Sequence, residues 1–217
     1  MELLIDEDVR VLGSLAEKEL TTPESYPLSL NALTNACNQI SNRDPVVQYD
    51  DATVKAAVDR LRKYSLVRSI QRADARVMKY MHLMGDALDL DRPEIAAMCV
   101  LMLRGPQTVG EIRTRAGRLF DFQSLEAVEA TLNRLAGRAP SPLVTRLERQ
   151  PGQKEARFAH LLSGEVTVVA SAAPAPDSPV VRDDPDRLDA LENTIELLRS
   201  EVAELREEVG ELKRLLQ

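Results

Sequence analysis

Few residues in this chain have the chemistry for catalysis or metal binding, so they bound its function first. His82 and His160 are the two histidines, and Cys37 and Cys99 the two cysteines. Each histidine lies among apolar neighbours, in Lys79-Tyr80-Met81-His82-Leu83-Met84 and in Arg157-Phe158-Ala159-His160-Leu161-Leu162. A metal site would need carboxylate or thiolate neighbours at ligand spacing, and the plain reading is a strand imidazole held by packing or one hydrogen bond. The cysteines fall on apolar helix faces as buried thiols, too few for a disulfide framework or a zinc site alone. Nine scattered glycines form no phosphate loop. No nucleophile, base and orienting group converge by pattern. The expectation is a protein that is not an enzyme and takes no metal or cofactor.

Positive charge is the second kind of chemistry available. Lys55, Arg62 and Lys63 lie on one candidate helix, and Arg68, Arg72 and Arg76 on the hairpin after it. Together they could hold phosphate, with Thr53 or Asn38 reaching bases. The alternative is a solvated amphipathic face, because Asp50, Asp51 and Asp59 share that helix. An amide-rich run supplies Asn31, Asn35, Asn38, Gln39, Asn42, Arg43 and Asp44. Amides recognise base edges or peptide backbone, but they also cap helices and order loops. Asn38, Gln39 and Arg43 are kept as candidate contacts.

The elements that must position these residues come from an internal repeat. Lys79–Met84 reappears as Arg157–Leu162 at an offset of 78, and Pro27–Leu33 as Pro106–Ile112 at 79. Val58-Asp59-Arg60-Leu61 returns as Leu132-Asn133-Arg134-Leu135 at 74. Each copy reads helix, helix, helix, hairpin. In the first copy, Asp6–Leu20 turns Val9, Leu12, Leu15, Ala16 and Leu20 to one face. Ser29 caps a second helix with Leu30, Leu33, Cys37 and Ile40 inward, and Val54, Ala57, Val58 and Leu61 line a third. In the second copy Pro93 opens a helix and Thr108 caps the next. Ser124 caps a third with Leu125, Val128, Leu132 and Leu135 inward. This is the winged-helix order, twice. The second copy places Glu126 and Glu129 where phosphate would approach, and so reads as a packing or protein-contact domain, the alternative being backbone contact by Arg113, Arg115 and Arg118 with Arg146, Arg149, Lys154 and Arg157.

Domain 1 is expected over residues 1–86 and domain 2 over 87–164, followed by a Pro/Ala-rich linker over 165–186. In the tail, 187–217, apolar residues step by three and four: Leu188, Leu191, Ile195, Leu198, Val202, Leu205, Val209, Leu212 and Leu216. β-Branched residues at most a positions with Leu at d specify a parallel two-stranded coiled coil. The matched pairs Arg187–Glu192, Glu201–Arg206 and Glu208–Lys213 support the same register. A single amphipathic helix folded back on the front domains is the alternative. The expected class is mainly α with small β-hairpins (α+β), and the chain's first partner is itself, as a parallel homodimer.

Composition sets the setting. The formal net charge of -7 sits almost wholly in the tail, where residues 166–217 carry 6 basic and 12 acidic groups. Residues 1–85 carry 11 and 12, so the front neither excludes nor demands nucleic acid. Aromatics are 3% with no Trp, which argues against a base-stacking platform. No apolar run approaches the ~20 residues of a membrane span. The acidic opening differs from the basic start of a signal peptide, and a cytoplasmic protein without membrane contact is expected.

A resemblance sharpens the fold. Tyr26-Pro27-Leu28-Ser29-Leu30-Asn31-Ala32-Leu33-Thr34-Asn35-Ala36-Cys37-Asn38-Gln39, followed by Ser41-Asn42-Arg43-Asp44-Pro45-Val46, resembles the YceH-like family of bacterial proteins. Arg104-Gly105-Pro106-Gln107-Thr108 with Gly110-Glu111 resembles it too. The likeness covers about residues 3–164. It implies tandem winged helices and leaves the biochemical role open. Two readings therefore stand: a dimeric DNA-binding protein of regulatory type on double-stranded DNA, or an interaction scaffold whose winged helices bind a protein partner.

Overall fold

The computed structural model describes residues 3–71, 77–149 and 155–164. Arg72, Arg76, the linker and the heptad positions Leu188 to Leu216 lie outside them. All described residues belong to one unit, Met1–Thr167.

The first half begins with α1 (Asp6–Thr21), whose first turn carries Asp6, Glu7 and Asp8 and whose last turn carries Lys18. That polarity matches the helix dipole. A short 3-10 turn and β1 (Leu28–Ser29) lead into α2 (Leu30–Cys37), started by the Ser29 hydroxyl accepting from Ala32 N at 3.3 Å. Asp50 likewise caps α3 (Asp51–Lys63), accepting from Thr53 N at 2.8 Å. The antiparallel strands β2 (Val67–Ile70) and β3 (Lys79–His82) complete a three-stranded sheet of order β1-β3-β2. A single-turn connector, α4 (Met84–Leu88), follows.

The second half repeats the plan. In α5 (Arg92–Arg104) a capping box joins Asp91 to Glu94, with Pro93 in the first turn. In α6 (Val109–Ala116) a second box joins Thr108 to Glu111. Ser124 caps α7 (Leu125–Ala136), and β4 (Val144–Arg146) pairs with β5 (Phe158–His160). The repeat is legible in the strand register. Leu28 faces Tyr80 in the first sheet, and their repeat counterparts Gln107 and Phe158 form a bridge in the second. The architecture is thus a mixed α/β fold with seven helices and small antiparallel sheets among the described residues. No described helix is long and apolar enough to cross a membrane.

One hydrophobic core runs through both halves, from Leu12, Leu15, Leu33 and Leu61 to Met98, Leu101, Ile112 and Leu132. Its axis is the contact of α1 with α5. Amphipathic spacing predicts a single inward face for α1, yet the nine consecutive residues Asp8 to Ala16 are all buried. α5 covers the side that would otherwise face water, and α5 is itself buried from Ala96 to Leu103. Ile40 departs from expectation in the opposite sense. It lies beyond the end of α2 and is 84% exposed, so it does not join the helix's apolar stripe.

Gly13 sets how closely the two helices approach. A Cβ there would lie 2.9 Å from Leu103 Cδ2 and 3.2 Å from Met102 Cβ. Gly costs a helix interior about 1 kcal/mol relative to Ala, and the close α1–α5 contact offsets that. Overpacking a core typically costs about 1–3 kcal/mol, which exceeds the propensity gained. Gly13→Ala is therefore expected to lower unfolding stability by about 1 kcal/mol net in a urea titration, and a raised midpoint would refute this packing account.

Candidate interaction surface

The cations of α3 do not form an uninterrupted patch. Asp59 lies between Lys55 and Arg62, 2.5 Å from Lys55 Nζ and 3.5 Å from Arg62 Nη1. The Lys55 hydrogen bond is the main reason the Asp59 carboxyl lies below its ordinary range, and the group stays charged. Arg60 turns inward to Asp8, at 2.9 Å. At the start of the helix Asp50 is held low by the Thr53 N–H it accepts from, and Asp51 accepts from the Thr34 hydroxyl. Thr53 is half-buried beside them. Exposed cations gather at the far end of α3 and on the sheet, as Arg62, Lys63, Arg68 and Lys79.

Three members of the amide-rich run turn into the fold, Asn38, Gln39 and Arg43, while Asn31, Asn35, Asn42 and Asp44 are exposed. Asn38 donates through Nδ2 to the Tyr49 carbonyl at 2.8 Å and accepts from the Tyr49 N–H at 2.7 Å, using both ends of its amide. Arg43 has a fully buried side chain, and its guanidinium forms a two-armed pair with Glu17 at 3.0 and 2.6 Å. Nε and Nη2 also donate to the Ala36 carbonyl, Nη1 donates to Asn42 O, and Nη2 donates to Gln39 Oε1. Gln39 thus serves Arg43. The same loop donates from Asp44 N to Leu103 O at 2.9 Å and accepts from Arg10 at Pro45 O. The run ties α1, α2 and α5 together, and its geometry commits Asn38, Gln39 and Arg43 to internal contacts. Glu17 was the partner that spacing could not reveal, since 26 residues separate it from Arg43.

The histidines and cysteines are likewise held by the fold. His82 Nδ1 accepts from Met84 N at 3.2 Å, while Nε2 lies 2.5 Å from Glu19 Oε2, close but poorly aligned for a hydrogen bond. That contact draws the Glu19 carboxyl below its usual range. Burial pushes the Cys37 thiol up to about 11 and the Cys99 thiol higher still. Among the described residues no cluster of three metal-ligating side chains occurs.

The corresponding face of the second half differs in shape and charge. A recess of about 420 Å³ opens between the starts of α6 and α7 and the β4–β5 hairpin. Leu125, expected inward, stands at its rim and is 45% exposed. It is the first residue of α7, ahead of the turns whose side chains Val128, Leu132 and Leu135 reach the core. Glu126 and Glu129 line the helix wall. Arg146 lines the strand wall, its guanidinium carbon 5.9 Å from the centroid of the Phe158 ring. Two other cations of this half are engaged: Arg113 donates to the Phe122 and Gln123 carbonyls, and Arg157 pairs with Glu111 at 2.9 Å.

Residues 4–153, the first repeat and most of the second, match a family described as "Protein of unknown function, DUF480". The chain belongs to the DUF480 family. Among its relatives, a UPF0502 protein of Opitutus terrae is 51% identical over 199 residues, covering 92% of this chain and 84% of the relative. One of Geobacter sulfurreducens is 53% identical over 178 residues, 81% of this chain and 80% of its own. One of Aliivibrio fischeri is 44% identical over 208 residues, covering 94% and 95%. Membership agrees with the likeness carried by the Tyr26–Gln39 run, which falls inside the DUF480 match.

Two outcomes follow from this geometry. Removing one partner of a buried ion pair leaves an uncompensated charge, so Arg43→Ala is expected to cost about 3–5 kcal/mol. Pairing Arg43→Met with Glu17→Leu should recover only part of that, because the Ala36 and Asn42 carbonyls still lose their donor. Equal loss in the single and double variants, measured by urea unfolding, would show that the pair is not the source. Burial lowers His160 to about 4 from its usual 6.5. The unfolded chain therefore binds the proton first as pH falls. Stability should drop between pH 6.5 and 4 by about 3 kcal/mol and level off below. His160→Gln should lack that part of the slope, and identical slopes in both proteins would contradict it.

Proposed function

We propose that this DUF480 protein is a non-enzymatic interaction module: two winged-helix halves on a shared core, directed toward a protein partner. The order of three helices and a hairpin in each half, with a first sheet ordered β1-β3-β2, supports the winged-helix reading. The tail heptads from Leu188 to Leu216 would pair two copies in parallel, and the proposed setting is the cytoplasm.

The observation that carries the choice of partner is Asp59 between Lys55 and Arg62. In a winged helix the third helix enters the major groove by its first turns. Here those turns present Asp50, Asp51 and an ion-paired Lys55, and α7 presents Glu126 and Glu129. A phosphate backbone rewards uncompensated cations, and these faces offer paired charges and carboxylates. Duplex DNA is the second reading. It is favoured by exposed Lys63, Arg68 and Lys79, joined by Arg62 where its pairing with Asp59 is loose.

Fluorescence anisotropy of full-length protein with mixed-sequence duplex DNA separates the two across a salt series. The expected result is binding no tighter than roughly 10⁻⁴ M at physiological salt, the weak end of non-specific association, with little gain as salt is lowered. Lys55→Ala, Arg62→Ala and Lys63→Ala combined should leave it unchanged. Micromolar or tighter binding that collapses with salt and is lost in the triple variant would establish the DNA reading instead.

A further inference from the structure

We infer that the recess between α7 and the β4–β5 hairpin docks a short peptide segment of a protein partner, an apolar side chain next to a Lys or Arg. This rests on the proposed interaction role and names its surface. The volume, about 420 Å³, is at the scale of pockets that hold one or two side chains. The apolar part of the lining comes from Phe158, Ala156 and Val109, with Phe158 buried beneath the Arg146 guanidinium. Leu125 completes it at the rim. A Leu exposed beside an apolar recess would lose that exposure when an apolar side chain fills it.

Charge selects what accompanies the apolar group. Glu126 and Glu129 are three residues apart, hence on one face of α7. Hydrogen bonds at the start of the helix hold the Glu126 carboxyl below its ordinary range, so it stays ionised. These carboxylates repel phosphate and attract an ammonium or guanidinium. The opposite wall carries Arg146 and Arg149, with Glu155 beside them, and can meet the carbonyls of a peptide backbone.

The first half lacks this arrangement. At the repeat offset of 74, Leu125 corresponds to Asp51, Glu126 to Ala52 and Glu129 to Lys55. Opposite the counterpart of Phe158, which is Tyr80, stands Ser69 where the second half has Arg146. The apolar anchor flanked by acids is thus a property of one copy, as a site specialised after duplication would be.

The test is selection of phage-displayed random nonapeptides on the full-length protein, then titration of the synthetic consensus peptide. The expected consensus has Leu, Ile, Met or Phe within three residues of Lys or Arg. Leu125→Glu should weaken the peptide at least tenfold. The substitution places a carboxylate at a helix start, which the helix dipole favours, and matching thermal midpoints would show the fold intact. Glu129→Lys should also weaken it tenfold, while a peptide with its basic residue changed to Glu should regain binding to that variant. Peptides that bind both variants as they bind the parent would overturn the recess and leave the interaction role standing. Failure to enrich any peptide would also overturn it, and the DNA titration would then decide whether the wider role falls with it.

Discussion

The buried pair between Arg43 and Glu17 is the constraint around which the first half is arranged. Taking both ions out of water costs several kcal/mol each, and only saturated hydrogen bonding makes such a pair tolerable. Arg43 reaches that state by spreading its donors over Glu17, Ala36, Asn42 and Gln39. Its fork is planar and fixed, so the acceptors must come to it. The end of α2, the C-terminal part of α1 and the loop before α3 are consequently set relative to one another by one side chain. The Asp44 bond to Leu103 and the Arg104 bond to Asn42 then extend the arrangement to α5.

Much of the fold was legible because local signals and repeat agreed. Ser29, Thr108 and Ser124 each begin a helix where a hydroxyl precedes an apolar period. The matched strands fall at Tyr80 and Phe158, where the repeat places them. What was not legible depends on contacts far apart in sequence. Arg10 and Ser14 look like the wet side of α1 by periodicity, yet they lie under other elements and donate to Pro45 and Ala36 carbonyls. Ile40 fits the period of α2 but comes after its last turn. Periodicity describes a helix in isolation, whereas burial on a second side depends on which other helix arrives.

The candidate site shows the same division. That Asp50, Asp51 and Asp59 could interrupt the basic face of α3 was visible in the sequence. That Asp59 would engage both Lys55 and Arg62 required the rotamers. For the amide run both loop ordering and recognition were open by composition, and in the structure Asn38 and Arg43 bond to backbone groups of their own loop and of α2. Leu125 had the right spacing for the core, but as the first residue of α7 it overhangs the hairpin. A residue's place along its helix decided exposure there, beyond the face it occupies.

The full burial of α1 bears on how the chain reaches this state during synthesis. α1 leaves the ribosome first, but the helix that covers its second side begins only at Arg92. At typical elongation rates of roughly 5–20 residues per second, several seconds separate the two events. Throughout that interval the apolar side of α1 opposite its first-half neighbours has no cover. The cover over that side of α1 is therefore supplied by the second copy, across 70 residues of sequence, and arrives last.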